Sequence, residues 1–196
     1  MNRGDISELQ NIVHIENVPS IMQHGILSHK RAERIGHQSV AMAEIQDRRK
    51  NKQIPGARRL HDYANLYFDA HNPMLSRLRS KNSEICVLRV DAAVLDLPGV
   101  IIADQNASSD YVLFSPVASG LTLLDKDRIF ARYWKHGDDQ IEEWRHKAEK
   151  CAEVLVPDCV PSEYIRGAFV ANTIALRAFE ALNCGLPVSV NNGIFF

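Results

Sequence analysis

An acid and a run of cations carry the chemistry this chain can offer. Glu153 stands at the mouth of Val154-Leu155-Val156, where charged, helix-prone residues from Ala148 to Lys150 give way to a β-branched apolar run stopped by Pro157. Such a run reads as a buried strand. A carboxylate at its entrance costs free energy to desolvate unless it is hydrogen-bonded or faces a cleft. Catalytic acids occupy such positions because the strands fix the side chain while one end stays open. On position alone, a strand-end glutamate pointing into solvent is the commoner arrangement, so a second and distant feature is needed.

That feature lies between Ser28 and Leu60. Ser39 predicts a helix start, with Val40, Met42, Ala43, Ile45 and Gln46 leading into Asp47-Arg48-Arg49-Lys50, and Pro55-Gly56 ends it. Neighbours on a helix are about 100° apart, so three consecutive cations cannot all face one way. At least one of Arg48, Arg49 and Lys50 then points inward, where an arginine seeks a carboxylate or a phosphate. The charge is uneven as well. Residues 30 to 81 hold twelve Lys/Arg against five Asp/Glu, a surplus of seven in a chain whose formal net charge is −1. This pattern suggests a polyanion-facing surface on an acidic body, although a solvated basic face with no partner has the same composition.

Other chemistries lack their residues. There is no G-x-G-x-x-G or Walker loop, no G-x-S-x-G elbow and no H-E-x-x-H. Cys86, Cys151, Cys159 and Cys184 form no C-x-x-C pair and no metal-ligand spacing with histidines, so reduced thiols and no metal are expected. Met1 to Gln10 is polar, without the apolar core of a signal peptide, and no apolar run approaches the roughly 20 residues of a membrane span. A soluble cytoplasmic protein is expected, and 196 residues with 45% hydrophobic content suffice for one domain, 1–196.

The elements that must position the acid and the cations follow in order. Ile12 to Ile15 reads as a strand, and Asn17 as the cap of a helix ended by Gly25. Leu60 to Phe68 reads as a turn entering a strand, and Asn72-Pro73 opens a turn or short helix. Ile85–Val90 and Val100–Ala103 are strands, Asp104 to Asp110 a polar loop, and Val112 to Phe114 a short strand. Helices are expected over 125–135 and 139–150, with Ile129, Phe130, Tyr133 or Trp134, Ile141 and Trp144 turned to the core. Gly167–Val170 and Val188–Val190 are strands flanking a helix from Asn172, and the terminal Ile194-Phe195-Phe196 tucks into the body. The class is α+β with short, mostly antiparallel strands.

Together these stretches resemble the DarT family of DNA ADP-ribosyltransferase toxins. The resemblance rests on His14-Ile15-Glu16-Asn17-Val18 with Gly25, Ser39 to Arg49, Leu60-His61-Asp62-Tyr63, Tyr67-Phe68, Pro73-Met74-Leu75, the Asp104–Ser108 loop, and Ala152 to Val156. It implies an ADP-ribosyltransferase-like split antiparallel sheet flanked by helices, with a basic loop-helix insertion. It implies that NAD is cleaved at its nicotinamide bond and ADP-ribose joined to a thymine or guanine of single-stranded DNA. Carried over by motif, Glu153 and Arg49 are catalytic, and Asn11, Ile12, Val13, Ser20, Ser28, Arg49 and Tyr67 bind NAD. Arg48, Lys50, Lys52, Arg77, Asn106 and Ser108 are expected on the DNA, with Lys52, Arg58, Arg59 and Arg79 adding phosphate contacts and Tyr63 or Phe68 stacking. The family further implies a macrodomain antitoxin of the DarG type and a role in toxin–antitoxin or phage defence. A transferase acting on RNA or protein, or a silent nucleic-acid-binding module, is the competing expectation.

Overall fold

The computed structural model describes residues 1–196. Its strands are β1 (Glu8–His14), β2 (Ile26–Leu27), β3 (Tyr63–Tyr67), β4 (Ile85–Asp91), β5 (Ile101–Ala103), β6 (Phe114–Pro116), β7 (Glu153–Pro157), β8 (Cys159–Val160), β9 (Ile165–Val170) and β10 (Val188–Val190). Helices are α1 (Val18–His24), α2 (His29–Ala32), α3 (Ala43–Asn51), α4 (Pro73–Arg77), α5 (Val117–Leu123), α6 (Lys126–Ile129), α7 (Gln140–Glu149) and α8 (Thr173–Glu180). Eight strands form one sheet in the order β10-β9-β4-β1-β3-β7-β5-β6, and β2 pairs with β8 apart from it. Every pairing is antiparallel except β9–β10.

Alternation along the strands separates two faces. Leu66, Val154, Val156, Leu88 and Ala168 point to the larger core, where Ala175 and Phe179 of α8 and Leu121 of α5 cover them. Each fully buried aliphatic side chain there contributes roughly 1.5–3 kcal/mol. The intervening residues Tyr63, Tyr67 and Leu155 belong to two smaller clusters on the opposite face, with Ile12, Ile85 and Leu75 in one and Ile54 and Leu60 in the other. Glu153, two residues before Leu155, shares that second face.

The sheet is unevenly knit. β1 and β4 pair along seven positions, but β1 meets β3 at the single pair Gln10↔Tyr67. Beyond it the two strands diverge, and this splayed seam is the split of the sheet. The side chain of Asn11 bridges part of the gap, donating from Nδ2 to the Asn65 carbonyl at 2.9 Å.

Several sequence expectations are corrected. Asn17 does not cap α1: its backbone is helical, and its side chain instead pairs both ways with the Gln38 backbone. The helix expected from Ser39 begins at Ala43, after an extended Met42, and Ser39 Oγ accepts the Ala41 amide in a local turn. Of the helix expected over 125–135 only α6 forms, capped by Asp125. The side chains expected in the core around it do not all reach it. Ile129 is buried, but Tyr133 is 78% exposed, Ile141 62%, Trp144 58% and Phe130 41%. The inner side of α7 is taken by His146, whose ring bonds the Arg128 carbonyl, and by the Arg128–Glu149 ion pair. Periodicity defines a face on a helix but not whether a partner covers it.

Candidate active site at the split of the sheet

Glu153, the first residue of β7, is completely buried. Its neighbours in register are Tyr67 on β3 and Ala103 on β5, so the carboxylate rises between two paired strands. Three hydrogen bonds hold it. Arg49 Nη1 donates to Oε1 and to Oε2, each at 3.0 Å, and the Ala107 amide donates to Oε1 at 2.9 Å. These bonds supply in a dry setting what water supplies outside.

Arg49 arrives from α3, 104 residues away along the chain. On that helix Asp47, Arg48 and Lys50 are exposed, whereas the Arg49 side chain keeps 9% of its surface. Of the three cations it alone turns inward. Burial disfavours its charge, but the charge and hydrogen bonding of Glu153 outweigh burial and raise the guanidinium pKa further. Arg49 is therefore a fixed cation. Because Nη1 serves both carboxylate oxygens, Nε and Nη2 have no protein acceptor and can meet a ligand.

Arg49 and Tyr67 both face a cavity of about 180 Å³ in the seam. Asn11, Ile12 and Val13 form its β1 wall, Tyr63, Asn65 and Tyr67 its β3 wall, and Ser20, Ile35 and residues 37–41 close its outer side. Asn11 Oδ1 is buried without a hydrogen-bond partner. Native proteins leave few such atoms, so this one marks a place for a donor. Tyr67 donates its hydroxyl to Met74 Sδ at 3.0 Å. Burial first, and then the Glu153 charge, hold that phenol well above its ordinary pKa, so it stays neutral.

A second group lines the cavity without having been given a role from the sequence. His61 Nε2 lies 3.1 Å from Gln46 Oε1, and its ring is 4.1 Å from that of His29. Burial, then His29 and Arg49, hold the His61 pKa down to about 4. A neutral imidazole donates to Gln46, one helical turn before Arg49, and thereby fixes the orientation of α3. The signal available in the sequence was the i, i+3 spacing of Gln46 and Arg49, which puts both on one helix face.

The remaining expected residues divide. Ser20 lines the cavity, but Ser28 does not: it is buried between the lining residues Leu27 and His29, 1% exposed, with an unpartnered Oγ. Arg48, Lys50 and Arg77 are exposed, the last 3.2 Å from Met42 Sδ. Lys52 is not a free cation, since its Nζ donates to the Ser109 carbonyl at 2.6 Å and ties α3 to the 104–113 loop. Asn106 and Ser108 are turned on each other, with Asn106 Oδ1 accepting the Ser108 amide and hydroxyl, so they shape the loop. Arg58 is paired with Asp158 at 2.8 Å. Of Tyr63 and Phe68, expected to stack on bases, Phe68 is 2% exposed in the larger core, and Tyr63, 5% exposed, reaches only the cavity wall. Both sit at inward positions of β3 and its extension, where packing claims the ring.

A family model described as "ssDNA thymidine ADP-ribosyltransferase, DarT" matches residues 11–196. A DNA ADP-ribosyl transferase–DNA ADP-ribosyl glycohydrolase fusion protein of Thermosipho africanus is 32% identical over 202 residues, covering 96% of this chain and 49% of that protein. The chain thus spans about half the length of this relative. The solved structure of Thermosipho africanus DarTG in complex with ADP-ribose superposes with a TM-score of 0.81 at 31% identity, over 97% of this chain and 51% of that one. Thermus sp. 2.9 DarT in complex with ADP-ribosylated ssDNA gives 0.82 at 22% identity, covering 98% and 97%. Its complex with NAD+ gives 0.76 at 20%, covering 97% and 98%. The fold is that of these proteins, and it agrees with the expectation of a split, largely antiparallel sheet.

Proposed function

Since the chain belongs to the DarT family, we propose that it is an NAD-dependent transferase that joins ADP-ribose to a thymine of single-stranded DNA. The observation that carries this reading is the meeting of Arg49 and Glu153 at the wall of the seam. The family description and the DNA-bound and NAD-bound relatives support the choice of substrates. Residues 1–196 act in this reading as one catalytic unit.

Cleavage of the bond between ribose C1′ and the nicotinamide nitrogen leaves the electron pair on nicotinamide, a neutral leaving group. The sugar becomes oxocarbenium-like, and a carboxylate stabilises that positive charge. Glu153 has this role and accepts the ribose 2′-OH. Its surface is wholly covered by its partners, so the incoming hydroxyl replaces one of the two Arg49 bonds. In a thymidine nucleotide the glycosidic bond occupies N1, which leaves N3–H as the one ring N–H. As N3 bonds to C1′ its proton departs to solvent. Arg49, held protonated, does not take that proton but stabilises the negative charge developing on the base.

Asn11 Oδ1, Ile12, Val13, Ser20 and Tyr67 bind NAD, with Ser28 buried behind Leu27 and His29 of the lining. The orphaned Asn11 acceptor suits the amide N–H of nicotinamide. At about 180 Å³ the cavity is smaller than the ~300–1,000 Å³ of ordinary ligand sites. Residues 35–41 border the cavity, and the Asn17–Gln38 contacts tether them. Arg48, Lys50 and Arg77 carry the DNA phosphates. A cytoplasmic toxin countered by a macrodomain antitoxin of the DarG type is the setting this activity fits; no helix of the chain is long and apolar enough to cross a membrane.

The test is mass spectrometry of oligonucleotides, RNA and protein incubated with NAD. A single ADP-ribose on thymine-containing DNA, absent with Glu153→Gln, is expected. Product on RNA or protein alone overturns the reading.

A further inference from the structure

Lys52 caps the end of α3 one turn after Arg49, so the two side chains leave the helix on the same side. Its backbone is fixed in both directions. The Lys52 amide donates to the Arg49 carbonyl at 3.2 Å, and the Lys52 carbonyl accepts the amide of buried Leu60 at 2.9 Å. The half-buried side chain crosses to the 104–113 loop, where Nζ donates to the Ser109 carbonyl at 2.6 Å. A bond from a charged donor is stronger than a neutral one, and its acceptor here is a fixed point of the backbone.

The loop that Lys52 grips supplies the other donor to Glu153. Hydrogen bonds hold its stretch 106–109 from outside through the Asn106 amide on the Ala148 carbonyl of α7 at 3.1 Å, the Ala107 amide on Glu153 Oε1, and the Ser109 carbonyl on Lys52. Ala107 thus lies between two anchors, one on α7 and one on the helix that carries Arg49. Within the stretch the Ser109 amide donates to the Asn106 carbonyl at 2.9 Å, and Asn106 Oδ1 accepts the Ser108 amide and hydroxyl. These internal bonds make the turn move as a unit, so a pull at Ser109 reaches Ala107.

The contacts close a ring that runs from Glu153 to Arg49, along α3 to Lys52, through Ser109 to Ala107, and back to Glu153. The ring bears load during the reaction. When the ribose 2′-OH displaces one of the two Arg49 bonds, α3 loses half of its direct hold on the carboxylate. Ala107 then has to keep Oε1 in place, and α3 has to stay in register with the loop. Neither Lys52 nor Ser109 lines the seam cavity, so a ligand there leaves their bond intact.

We propose that Lys52 is a positioning residue for the transfer: by holding Ser109 it presents the Ala107 amide to Glu153 and keeps α3 against the loop while Arg49 exchanges partners. The proposal rests on the reading of Arg49 and Glu153 as the reacting pair of a DNA ADP-ribosyltransferase. Lys52 touches neither NAD nor DNA in this role, which sets it apart from the exposed Arg48 and Lys50 of the same helix. It acts through the Ala107 amide alone.

Lys52→Met keeps the stem and removes the donor, whereas Lys52→Arg keeps a charged donor of similar reach. Amide hydrogen exchange in the whole chain, followed by NMR, reads the link directly. In Lys52→Met the Ala107 amide exchanges about tenfold faster, the size of one lost hydrogen bond, while β7 amides keep their rates. Lys52→Arg stays near the wild type. Steady-state kinetics with NAD and a thymine oligonucleotide read the consequence: kcat falls about tenfold in Lys52→Met, and Lys52→Arg recovers most of it. Both KM values and the slope of log affinity against log salt stay unchanged. Wild-type Ala107 exchange or wild-type kcat in Lys52→Met overturns the proposal, as does a kcat loss that Lys52→Arg fails to recover. A salt slope reduced by about one, the mark of a phosphate contact, overturns it too. A wild-type chain that modifies no oligonucleotide overturns instead the assignment of DNA as substrate, and the Ala107 exchange still decides the Lys52 link.

Discussion

Two buried ion pairs flank the start of β7, three residues apart in sequence, and they differ in what surrounds them. Lys150 donates to Asp69 Oδ2 at 2.6 Å and to the Ile129 carbonyl at 2.7 Å, with no exposed side-chain surface. Glu153 is as deeply buried, but its cation faces the seam cavity with two nitrogens unused. The first pair ties the 69–72 turn to α6 and ends there. The second closes one wall of an opening beside an unpartnered Asn11 oxygen. Burial and pairing alone therefore do not mark a reactive centre. What distinguishes it is that its groups retain bonding capacity facing a space a ligand can enter.

This distinction is exposed to direct attack. Glu153→Gln keeps the shape and removes the charge, and transfer of ADP-ribose is expected to fall by about 10³-fold, with oligonucleotide binding by anisotropy retained. If Lys150→Met in folded protein lowers turnover as far, the two pairs are not different in kind. Lys150→Ala is expected to act on stability instead. Removing one partner of a buried pair costs about 3–5 kcal/mol, nearer the lower figure here because the Asp69 side chain keeps 16% of its surface, and urea denaturation measures it. Arg49→Lys retains a cation but loses the planar nitrogens that remain open, so turnover is expected to drop at least about tenfold while urea midpoints move little.

Smaller effects refine the comparison. Arg48→Ala and Lys50→Ala remove exposed cations, and each should reduce the slope of log affinity against log salt by about one, weakening all sequences alike. Acid tests the neutral wall. The folded His61 pKa, held at about 4, lies below the ordinary histidine value of 6.5. Between those values the unfolded chain binds the proton and the folded chain does not, so stability from this group is complete above pH 6.5, declines on acidification and levels off below about pH 4. His61→Gln should flatten that part of a Tm-against-pH profile. A profile identical to the wild type would remove His61 from the account of how α3 is held.

Much of the secondary structure was legible because its signals are local. The apolar runs Ile85–Val90 and Val154–Val156 form paired strands, and Asn172 caps α8 through its bonds to the Ile174 and Ala175 amides. Asn17 carried the same capping signal and was wrong, since a bond to Gln38 competes for its side chain. Ile141 and Trp144 repeat at helical spacing but remain exposed, because α7 is held to α6 by ion pairs instead. Tyr63 and Phe68 have the residue types of a nucleic-acid surface, yet the fold buries them, and Lys52 is spent on the Ser109 carbonyl.

The amino-acid order by itself determined that one of three adjacent cations must turn inward and that an acid opens a strand, since helix and strand periods are set by backbone geometry. Only the tertiary structure decided that the cation is Arg49 and that its partner is Glu153. A one-residue shift swings a helical side chain by about 100°, and a contact across 104 residues exists only after β3 and β7 have paired. The split of the sheet was implied by the family resemblance, but residue periodicity did not place the seam, because it arises where β1 and β3 share one pair and then part.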